Sequence, residues 1–425
     1  MVNIRKYMRF IHTADIHLDS PLTGLSAYQD APAELLRTAT RDAFENLVSE
    51  AIREKVDFMV IAGDLYDGSW KDFNTGLFFV RQMGLLKTAC VQVFVLFGNH
   101  DAESEMTKKL LMPDNVHCFS ATKAQTFRLD SLRVALHGRS FKDAATLENL
   151  ALTYPQAVPG WLNIGVLHTA LEGSAVHPNY APCSIAQLEA LGYQYWALGH
   201  VHEHRIWQGA CTIAFPGNLQ GRHIRETGPR GALLVTAEDG VIESVERFFV
   251  DVLRWYAVEV DVSGAADLAD VVRQTGQALE ATLAQSQTEL PLAVRVTMTG
   301  ATAAHGKLFG MEAQLRAEVL GLAASISHER LWIEKVRLDT SPLELAEEVA
   351  ARSDAIADLQ TFLLKAESDP VFLKSLKEDL MHLIGKVPLE LVKAVPEMEA
   401  IRAGQIQGLV RSTAASLVAH VAKAG

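Results

Sequence analysis

The sequence has few of the features that would set it apart from an ordinary globular protein. No apolar run approaches the ~18 residues that cross a bilayer, and the first ten residues have neither the apolar core nor the small-residue cleavage site of a secretory signal. The four cysteines lie far apart, without a Cys-x-x-Cys pair, which excludes a zinc knuckle or a disulfide framework. We therefore expect a cytoplasmic protein with reduced thiols.

Positive charge is scarce as well. The 425 residues contain 39 Lys and Arg against 51 Asp and Glu, a formal net charge of -12. A chain of this charge does not attract nucleic acid through its overall electrostatic field. If the protein acts on DNA, it must use a local basic patch, metal ions or a partner.

The hydrophobic fraction of 49% and the charged fraction of 21% are those of a folded protein, and the length suggests two or three domains. Residues 1–250 alternate buried-type strands with amphipathic helices, which predicts an α/β domain. Residues 251–340 alternate as β-α-β-α-β and predict a small α+β domain. Residues 341–425 show helical stripes without a strand signal, and we expect a helical region there.

Some element predictions are specific enough to be tested. Apolar segments at 212–215, 231–236 and 241–249 are closely spaced, and we expect antiparallel strands. In the α+β domain, the pattern predicts one continuous helix over 306–323.

Polar residues of metal-ligand type follow five apolar strands at the point where each strand ends. Open α/β sheets place their sites beyond the carboxyl ends of strands, so these segments are expected to converge. They are Asp-Ile-His at 15–17, Gly-Asp-Leu-Tyr-Asp at 63–67, Gly-Asn-His-Asp at 98–101, Leu-His-Thr at 167–169 and Gly-His-Val-His at 199–202.

Taken singly, several of these segments have a plain structural explanation. Turn chemistry accounts for the Gly-Asp pair at 63–64, and His168 alone suits a histidine buried at the end of a strand. Gly-His-Val-His is more informative, because alternate residues of an extended chain point the same way. A turn at 98–101 does not require the histidine. The five segments together, in order, favour a functional site.

The predicted donors comprise two carboxylates, one amide and four imidazoles, without a thiolate. This mixture of nitrogen and oxygen donors favours manganese, iron or zinc. Seven donors are more than one tetrahedral zinc ion can bind. The set suits two ions about 3.5–4 Å apart, with Asp64 as the bridging ligand. The candidate ligands are Asp15, His17, Asp64, Asn99, His168, His200 and His202.

Two such ions activate a bridging water as hydroxide and neutralise the oxygens of a phosphate. The leaving oxygen then needs a proton, which a histidine outside the ligand set can supply. We predict His100 as the catalytic residue, because the residue before it, Asn99, is the candidate ligand. Asp101 is a candidate to orient the His100 ring.

This ordered motif set resembles the calcineurin-like metallophosphoesterase superfamily. Two flanking segments are similar to the SbcD branch of DNA repair exonucleases, and most of all to its YhaO-type members: His-Thr-Ala-Asp-Ile-His-Leu-Asp-Ser-Pro-Leu at 12–22 and Phe-Pro-Gly-Asn-Leu-Gln-Gly-Arg-His at 215–223. The resemblance implies a four-layer α/β fold of two central β-sheets flanked by helices. It also implies a small α+β capping domain at 251–340 and a helical C-terminal region that binds a partner.

The resemblance further implies a distribution of ligands over two ions, commonly manganese, with His100 as the catalytic histidine. One ion falls to Asp15, His17, Asp64 and His202, and the other to Asp64, Asn99, His168 and His200. The implied partners are DNA, an SMC-like ATPase of the SbcC/YhaN type and a second copy of the chain. Related archaeal and eukaryotic sequences carry a histidine at the position of Asp67, which leaves exonuclease and endonuclease action both open.

A cluster of cations, Arg222, His223, Arg225 and Arg230, follows the motifs. It is either a solvated loop or a loop that contacts phosphate, which an acidic DNA-binding protein would need.

Three functions are compatible with the sequence. The favoured one is a two-metal DNA phosphodiesterase, an exonuclease of DNA repair or recombination. The second is the same chemistry on a small phosphoester such as a cyclic nucleotide. The third is a non-catalytic scaffold subunit of an ATPase, which would have no use for His100.

Overall fold

The computed structural model describes residues 7–22, 33–67, 73–102, 111–171, 180–308, 310–342, 355–387, 392 and 395–424. The chain divides into two compact units. The first comprises residues 1–256 with 290–293, and the second comprises 257–289 with 294–425. The three-domain division at residues 250 and 340 stays a prediction.

The first unit consists of two six-stranded sheets with helices outside them. Its strands are β1 (Tyr7–Thr13), β2 (Phe58–Ala62), β3 (Gln92–Leu96), β4 (Val116–Cys118), β5 (Gln125–Leu129), β6 (Val134–Gly138), β7 (Leu162–His168), β8 (Tyr195–Gly199), β9 (Arg205–Gln208), β10 (Thr212–Phe215), β11 (Gly231–Glu238) and β12 (Val241–Phe249). Its α-helices are α1 (Ala33–Arg53), α2 (Phe73–Thr88), α3 (Asn99–Ala102) and α4 (Ile185–Glu189), and a 3-10 helix covers Leu150–Thr153.

The first sheet has the order β12-β11-β1-β2-β3-β4 and the second the order β5-β6-β7-β8-β10-β9. Strands β1 to β4 run parallel to one another, while β11 and β12 add antiparallel pairs at one edge. In the second sheet, β6, β7, β8 and β10 are parallel. Both sheets thus have a parallel centre, so the carboxyl ends of neighbouring strands lie together.

The two sheets bury apolar faces against each other. Phe10, Phe58 and Phe94 of the first sheet share a core with Ile164 and Tyr195 of the second. Every residue of β2 and of β8 is buried, as expected for strands covered on both faces.

Helices cover the outer face of each sheet. Phe44 of α1 and Phe79 of α2 pack against the outer face of the first sheet. Leu188 of α4 packs with Trp196 on the outer face of the second. The layers are therefore helix, sheet, sheet and helix, and the predicted fold class is confirmed.

One strand pairs differently from expectation. Strands β11 and β12 pair antiparallel as predicted, but β10 lies in the other sheet, parallel to β8 and antiparallel to β9. The expectation of an antiparallel strand at 212–215 is therefore met by its pairing with β9 and is wrong for its pairing with β8. Residues 216–230 connect β10 of the second sheet to β11 of the first, so closeness in sequence does not lead to pairing here.

Most of the second unit is a β-α-β-α-β arrangement around a three-stranded sheet of order β13-β14-β15. Its elements are β13 (Arg254–Asp261), α5 (Leu268–Gln285), β14 (Leu292–Thr302), α6 (His305–Leu308), α7 (Glu312–Ser327) and β15 (Leu331–Pro342). The continuous helix predicted over 306–323 is wrong. Between α6 and α7, Gly310 has a φ of +86°, a left-handed conformation that interrupts a helix.

The C-terminal part is helical, as predicted. It comprises α8 (Ala355–Ser368), α9 (Pro370–Ile384), α10 (Pro396–Arg402) and α11 (Ile406–Ala424). Asp369 caps α9 by accepting the N–H groups of Val371 and Phe372, with Pro370 at the first position. Among the helices described here, none is long and apolar enough to span a bilayer.

Candidate metal centre

The five polar segments converge at the carboxyl ends of strands from both sheets. The His168 ring, at the end of β7, donates from Nδ1 to the Ala62 carbonyl at the end of β2, at 3.0 Å. The His200 N–H, after β8, lies 3.0 Å from both carboxylate oxygens of Asp15, after β1. The His100 N–H, after β3, donates to Asp64 Oδ1 at 3.1 Å. The strand ends thus bring distant parts of the chain into one site.

Four of these residues have an unusual backbone. Asp15, His17, Asp64 and His200 have φ values of 51°, 47°, 53° and 101°. Non-glycine residues in the left-handed region cost of order 1–3 kcal/mol each, and they persist where the surrounding structure holds them. The fold therefore places these side chains at an energetic cost, as is common at functional sites.

One group of donors consists of Asp15, His17 and His202, whose ligand atoms all lie within 4.8 Å of one another. The Nε2 atoms of His17 and His202 are 3.3 Å apart. Asp64 Oδ2 lies 3.9 Å from His17 Nε2, and Asp15 Oδ1 lies 3.9 Å from His202 Nε2. This group could hold one metal ion.

A second group consists of Asp64, His168 and His200. The Nε2 atom of His168 lies 3.0 Å from Asn99 Oδ1 and 3.4 Å from Asp64 Oδ2. Asp64 therefore reaches both groups, which is the arrangement that a bridging carboxylate requires. All seven predicted side chains are brought together, and their role as ligands stays a prediction.

Two histidines have their ring orientation set by a partner outside the ligand groups. His168 donates from Nδ1 to the Ala62 carbonyl, and His202 donates from Nδ1 to Glu226 Oε1 at 2.7 Å. A carbonyl and a carboxylate can only accept, so in the neutral form of each ring the lone pair is on Nε2, facing the other donors. This nitrogen and oxygen donor set fits two divalent cations of the manganese, iron or zinc type.

The electrostatics of the buried groups also suit cations. Burial raises the pKa of Asp15 to about 6 and lowers the pKa of His17 to about 3, which keeps that ring neutral. Burial acts to raise the pKa of Asp64, but His168 and His17 hold it below its ordinary value. Burial opposes charge on His168, yet Asp64 and Asp15 raise its pKa to about 9. The negative charge of Asp64 and Asp15 that favours a proton on His168 would equally favour a divalent cation in its place.

His100 differs from the donors because its side chain is 40% exposed. Its Nδ1 lies 3.2 Å from Asp67 Oδ1, and this hydrogen bond raises the pKa of His100. The ring lies edge-to-face against His17, with 5.0 Å between centroids. An imidazole whose charged form is favoured by Asp67, beside the donors and open to the exterior, is placed to deliver a proton.

The carboxylate that contacts the His100 ring is Asp67, whereas the sequence pointed to Asp101. Asp67 contacts the ring, a pairing that the sequence analysis missed. Asp101, predicted to orient His100, accepts the backbone N–H groups of Gly98 at 2.9 Å, Leu65 at 3.1 Å and Tyr66 at 2.9 Å. It thereby ties the loop after β3 to the loop after β2.

Two glycines are required by close approach. A Cβ atom at Gly63, whose φ is +100°, would collide with the His168 ring, and one at Gly98 would collide with the Asp64 carboxylate and the same ring. The Gly-Asp and Gly-Asn pairs are thus explained by the site as well as by turn chemistry.

The members of the cation cluster that follows the motifs differ in how deeply they are buried. Arg230 is buried and donates to Asn218 Oδ1 at 3.1 Å and to the Thr227 carbonyl at 2.9 Å. Arg225 is exposed, whereas Arg222 points inward towards the donors. A wholly solvated loop is therefore excluded. Glu226, within the same segment, had no motif that could have revealed its role.

Comparisons with known proteins agree with this geometry. Residues 8–204 match the calcineurin-like phosphoesterase family, and residues 255–341 match the family described as metallophosphoesterase YhaO, middle domain. The chain is 32% identical over 337 residues to the uncharacterized metallophosphoesterase YhaO of Bacillus subtilis, covering 78% of this chain and 81% of that protein.

More distant similarities extend to proteins named for DNA repair. The chain is 27% identical over 297 residues to the DNA double-strand break repair protein Mre11 of Methanopyrus kandleri, covering 60% of each. Among solved structures, a dimetal phosphatase from Danio rerio is 14% identical with a TM-score of 0.33, covering 54% of this chain and 93% of that one.

Proposed function

The chain belongs to the calcineurin-like metallophosphoesterase family, and on that premise we propose that it is a DNA nuclease that hydrolyses phosphodiester bonds at DNA ends. The observation that carries the hydrolase part is the position of Asp64 between two groups of donors. The DNA part is supported by the similarity to Mre11 proteins, which are named for double-strand break repair.

Two divalent ions, which we propose to be manganese, would be held by the two donor groups. Asp15, His17 and His202 would hold one ion; Asn99, His168 and His200 would hold the other, with Asp64 shared. When bound, such a pair supplies an activated water and neutralises the charge of the phosphate.

The residues of the chain would complete the reaction. Addition of the water oxygen to phosphorus breaks the bond to the leaving oxygen, which then needs a proton. His100 would supply that proton from its exposed ring, and Asp67 would hold the imidazole in place and stabilise its charged form. His168 and His202 would keep their Nε2 atoms aimed inward through Ala62 and Glu226.

The biological setting that we propose is DNA repair or recombination, with an SMC-like ATPase as the partner and homodimers as the assembly. The net charge of -12 predicts that the isolated chain binds DNA weakly. A partner that brings the DNA to the centre would compensate for this weakness.

The test is incubation of the purified chain with manganese and either end-labelled duplex DNA or bis(4-nitrophenyl) phosphate. We expect both substrates to be cleaved and the labelled strand to shorten from its ends. A matched reaction with His100→Ala controls for contaminating nucleases. Cleavage of the small ester without any DNA cleavage would contradict the nuclease proposal, and no cleavage of either would favour a scaffold role.

A further inference from the structure

Arg222 is buried beside the donor groups, although it belongs to a segment rich in cations. Its side chain is 14% exposed. Its Nη1 donates to Ser20 Oγ at 3.0 Å, and Ser20 Oγ in turn donates to Asp67 Oδ2 at 2.8 Å. Because Asp67 also holds the His100 ring, the guanidinium is connected to the proton-donor side of the centre.

The other side of Arg222 is connected to a candidate metal ligand. The backbone N–H of Arg222 donates to Glu226 Oε2 at 2.7 Å. The side-chain Nη2 of Arg222 lies 3.6 Å from Glu226 Oε1. That same Oε1 accepts the hydrogen bond from His202 Nδ1. Arg222 therefore lies between His100 and His202: its guanidinium is hydrogen-bonded to the Asp67 side through Ser20, and its backbone N–H and an ion pair of its guanidinium connect it to Glu226.

The charge of Arg222 is only partly balanced. Its one ion-pair partner among the described residues, Glu226, also serves His202 and lies 3.7 Å from His223. The Nε atom of Arg222 is buried and, within the described part of the chain, has no hydrogen-bond partner. Asp67, to which Ser20 connects the guanidinium, has its Oδ1 3.6 Å from His17 Nδ1 and 3.2 Å from His100 Nδ1, so Arg222 lies close to the donor groups.

With two divalent ions bound, the guanidinium would add to a positive charge that the neighbouring carboxylates of Asp67 and Glu226 offset only in part. Like charges a few ångströms apart in a poorly solvated site repel strongly. An anion shared between the guanidinium and the ions removes that repulsion. Guanidinium groups match the oxygens of phosphate in geometry and charge, and buried ones lose little freedom when they bind.

We propose that Arg222 binds a non-bridging oxygen of the substrate phosphate, with Ser20 and Glu226 positioning its guanidinium. This assignment rests on the proposed function, since it requires a phosphoester at the donor groups. Arg222 is then the protein's own anion-recognition group, which an acidic chain needs in order to retain a phosphate.

The test measures binding of inorganic phosphate to the manganese-loaded full chain by titration calorimetry. Arg222→Gln removes the charge, and we expect its phosphate affinity to fall roughly 10- to 100-fold, the effect of losing one charge-assisted hydrogen bond. Arg222→Lys should recover part of that loss. Arg225→Gln, three positions along and exposed, is the matched control and should bind phosphate like the wild type.

Metal content is measured on every variant. Arg222→Gln that retains two ions and binds phosphate with wild-type affinity would overturn the proposal, as would manganese-loaded wild type that does not bind phosphate. If both Arg222→Gln and Arg222→Lys lose metal ions, the role of Arg222 is to position Glu226 and through it His202. That result would also contradict the proposal. If Arg222→Gln does not fold, Ser20→Ala replaces it and should weaken phosphate binding several-fold; unchanged binding would then overturn the proposal.

The two proposals can fail separately. If phosphate binding depends on Arg222 but neither DNA nor the small ester is cleaved, the proposed function fails and the anion site stands. If both substrates are cleaved and the KM of Arg222→Gln equals that of the wild type, the function stands and the role of Arg222 is wrong.

Discussion

At the scale of single residues, the orientation of the histidine rings depends on partners outside the donor groups. His202 is held by Glu226 and His168 by a main-chain carbonyl. Because that carbonyl belongs to the backbone, only the Glu226 contact can be removed by substitution. Glu226 also accepts the Asn218 side-chain amide at 3.0 Å, which keeps its carboxylate in place.

We predict that Glu226→Ala weakens metal binding roughly 10- to 100-fold, because His202 loses the acceptor that sets its tautomer. Titration of the metal-free chain with manganese measures the change. Glu203→Ala is the matched control, since Glu203 is exposed next to His202 in sequence and pairs with Arg205. Equal manganese affinity in Glu226→Ala and Glu203→Ala would contradict the prediction.

His100→Ala should retain both metal ions and lose about 10²- to 10⁴-fold in turnover, because His100 is assigned to proton transfer and not to coordination. Metal content and hydrolysis of a chromogenic phosphodiester are measured on the same preparation. A variant that lost an ion would show that His100 is a ligand, and one with full activity would show that another group supplies the proton.

His12 gives a pH-dependent contribution to stability. Burial lowers its pKa to about 3 from 6.5, and its ring contacts the Tyr195 hydroxyl at 2.9 Å and the Leu198 carbonyl at 3.1 Å. Below pH 6.5, His12 therefore binds a proton in the unfolded chain but stays neutral in the folded chain. The folded state consequently loses stability as the pH falls. At pH 5.5 this amounts to roughly 1 kcal/mol.

Urea unfolding of the metal-free chain at pH 7.5 and 5.5 measures this effect. His12→Gln should show a smaller loss of stability between the two pH values than the wild type, whatever its stability at pH 7.5. An identical loss in both proteins would mean that His12 does not contribute.

The site residues whose role could be predicted from the sequence are those in short motifs at strand ends. Asp15, Asn99 and His200 follow apolar strands and have metal-ligand chemistry, so their convergence was predictable. Glu226 and Arg222 were not, because their roles depend on how residues 216–230 pass between the two sheets.

At the scale of elements, the loops after β2 and β3 are packed so closely that neither accepts a side chain at its glycine. Gly98 approaches the Asp64 carboxylate and the His168 ring, which belong to different sheets. Asp101 accepts N–H groups from both loops. Asp101 therefore ties together two loops of the first sheet, and the close approach at Gly98 packs them against His168 of the second sheet.

Gly98→Ala should displace Asp64 and lower the manganese content of the protein below two ions per chain, because its Cβ would overlap that carboxylate. Gly84→Ala in α2 is the control, since its Cβ would meet nothing within 4 Å, and it should stabilise the chain by up to about 1 kcal/mol. Metal analysis and urea unfolding follow both changes. Full metal content in Gly98→Ala would contradict the packing argument.

Strands with continuous apolar runs were predictable, and short edge strands were not. Strands β2, β3, β7 and β8 are almost wholly buried; the first three are rich in Val, Ile or Leu, and β8 is aromatic and apolar. In contrast, β4 has only three residues and β9 is largely exposed and polar, so neither gives a periodic signal. The helix break at Gly310 depends on one left-handed residue in an otherwise helical pattern.

At the scale of the whole molecule, the candidate centre exists because the parallel central strands of two sheets end at the same place. The first sheet brings Asp15, Asp64 and Asn99, and the second brings His168 and His200. Neither sheet carries a complete set of donors for two ions. This dependence explains why the predicted ligands lie far apart in sequence.

The most direct test of this account is anomalous diffraction from crystals of the chain grown with manganese. The account predicts two peaks about 3.5–4 Å apart, with Asp64 between them and His100 bound to neither. A single peak, or two peaks that do not share Asp64, would contradict it.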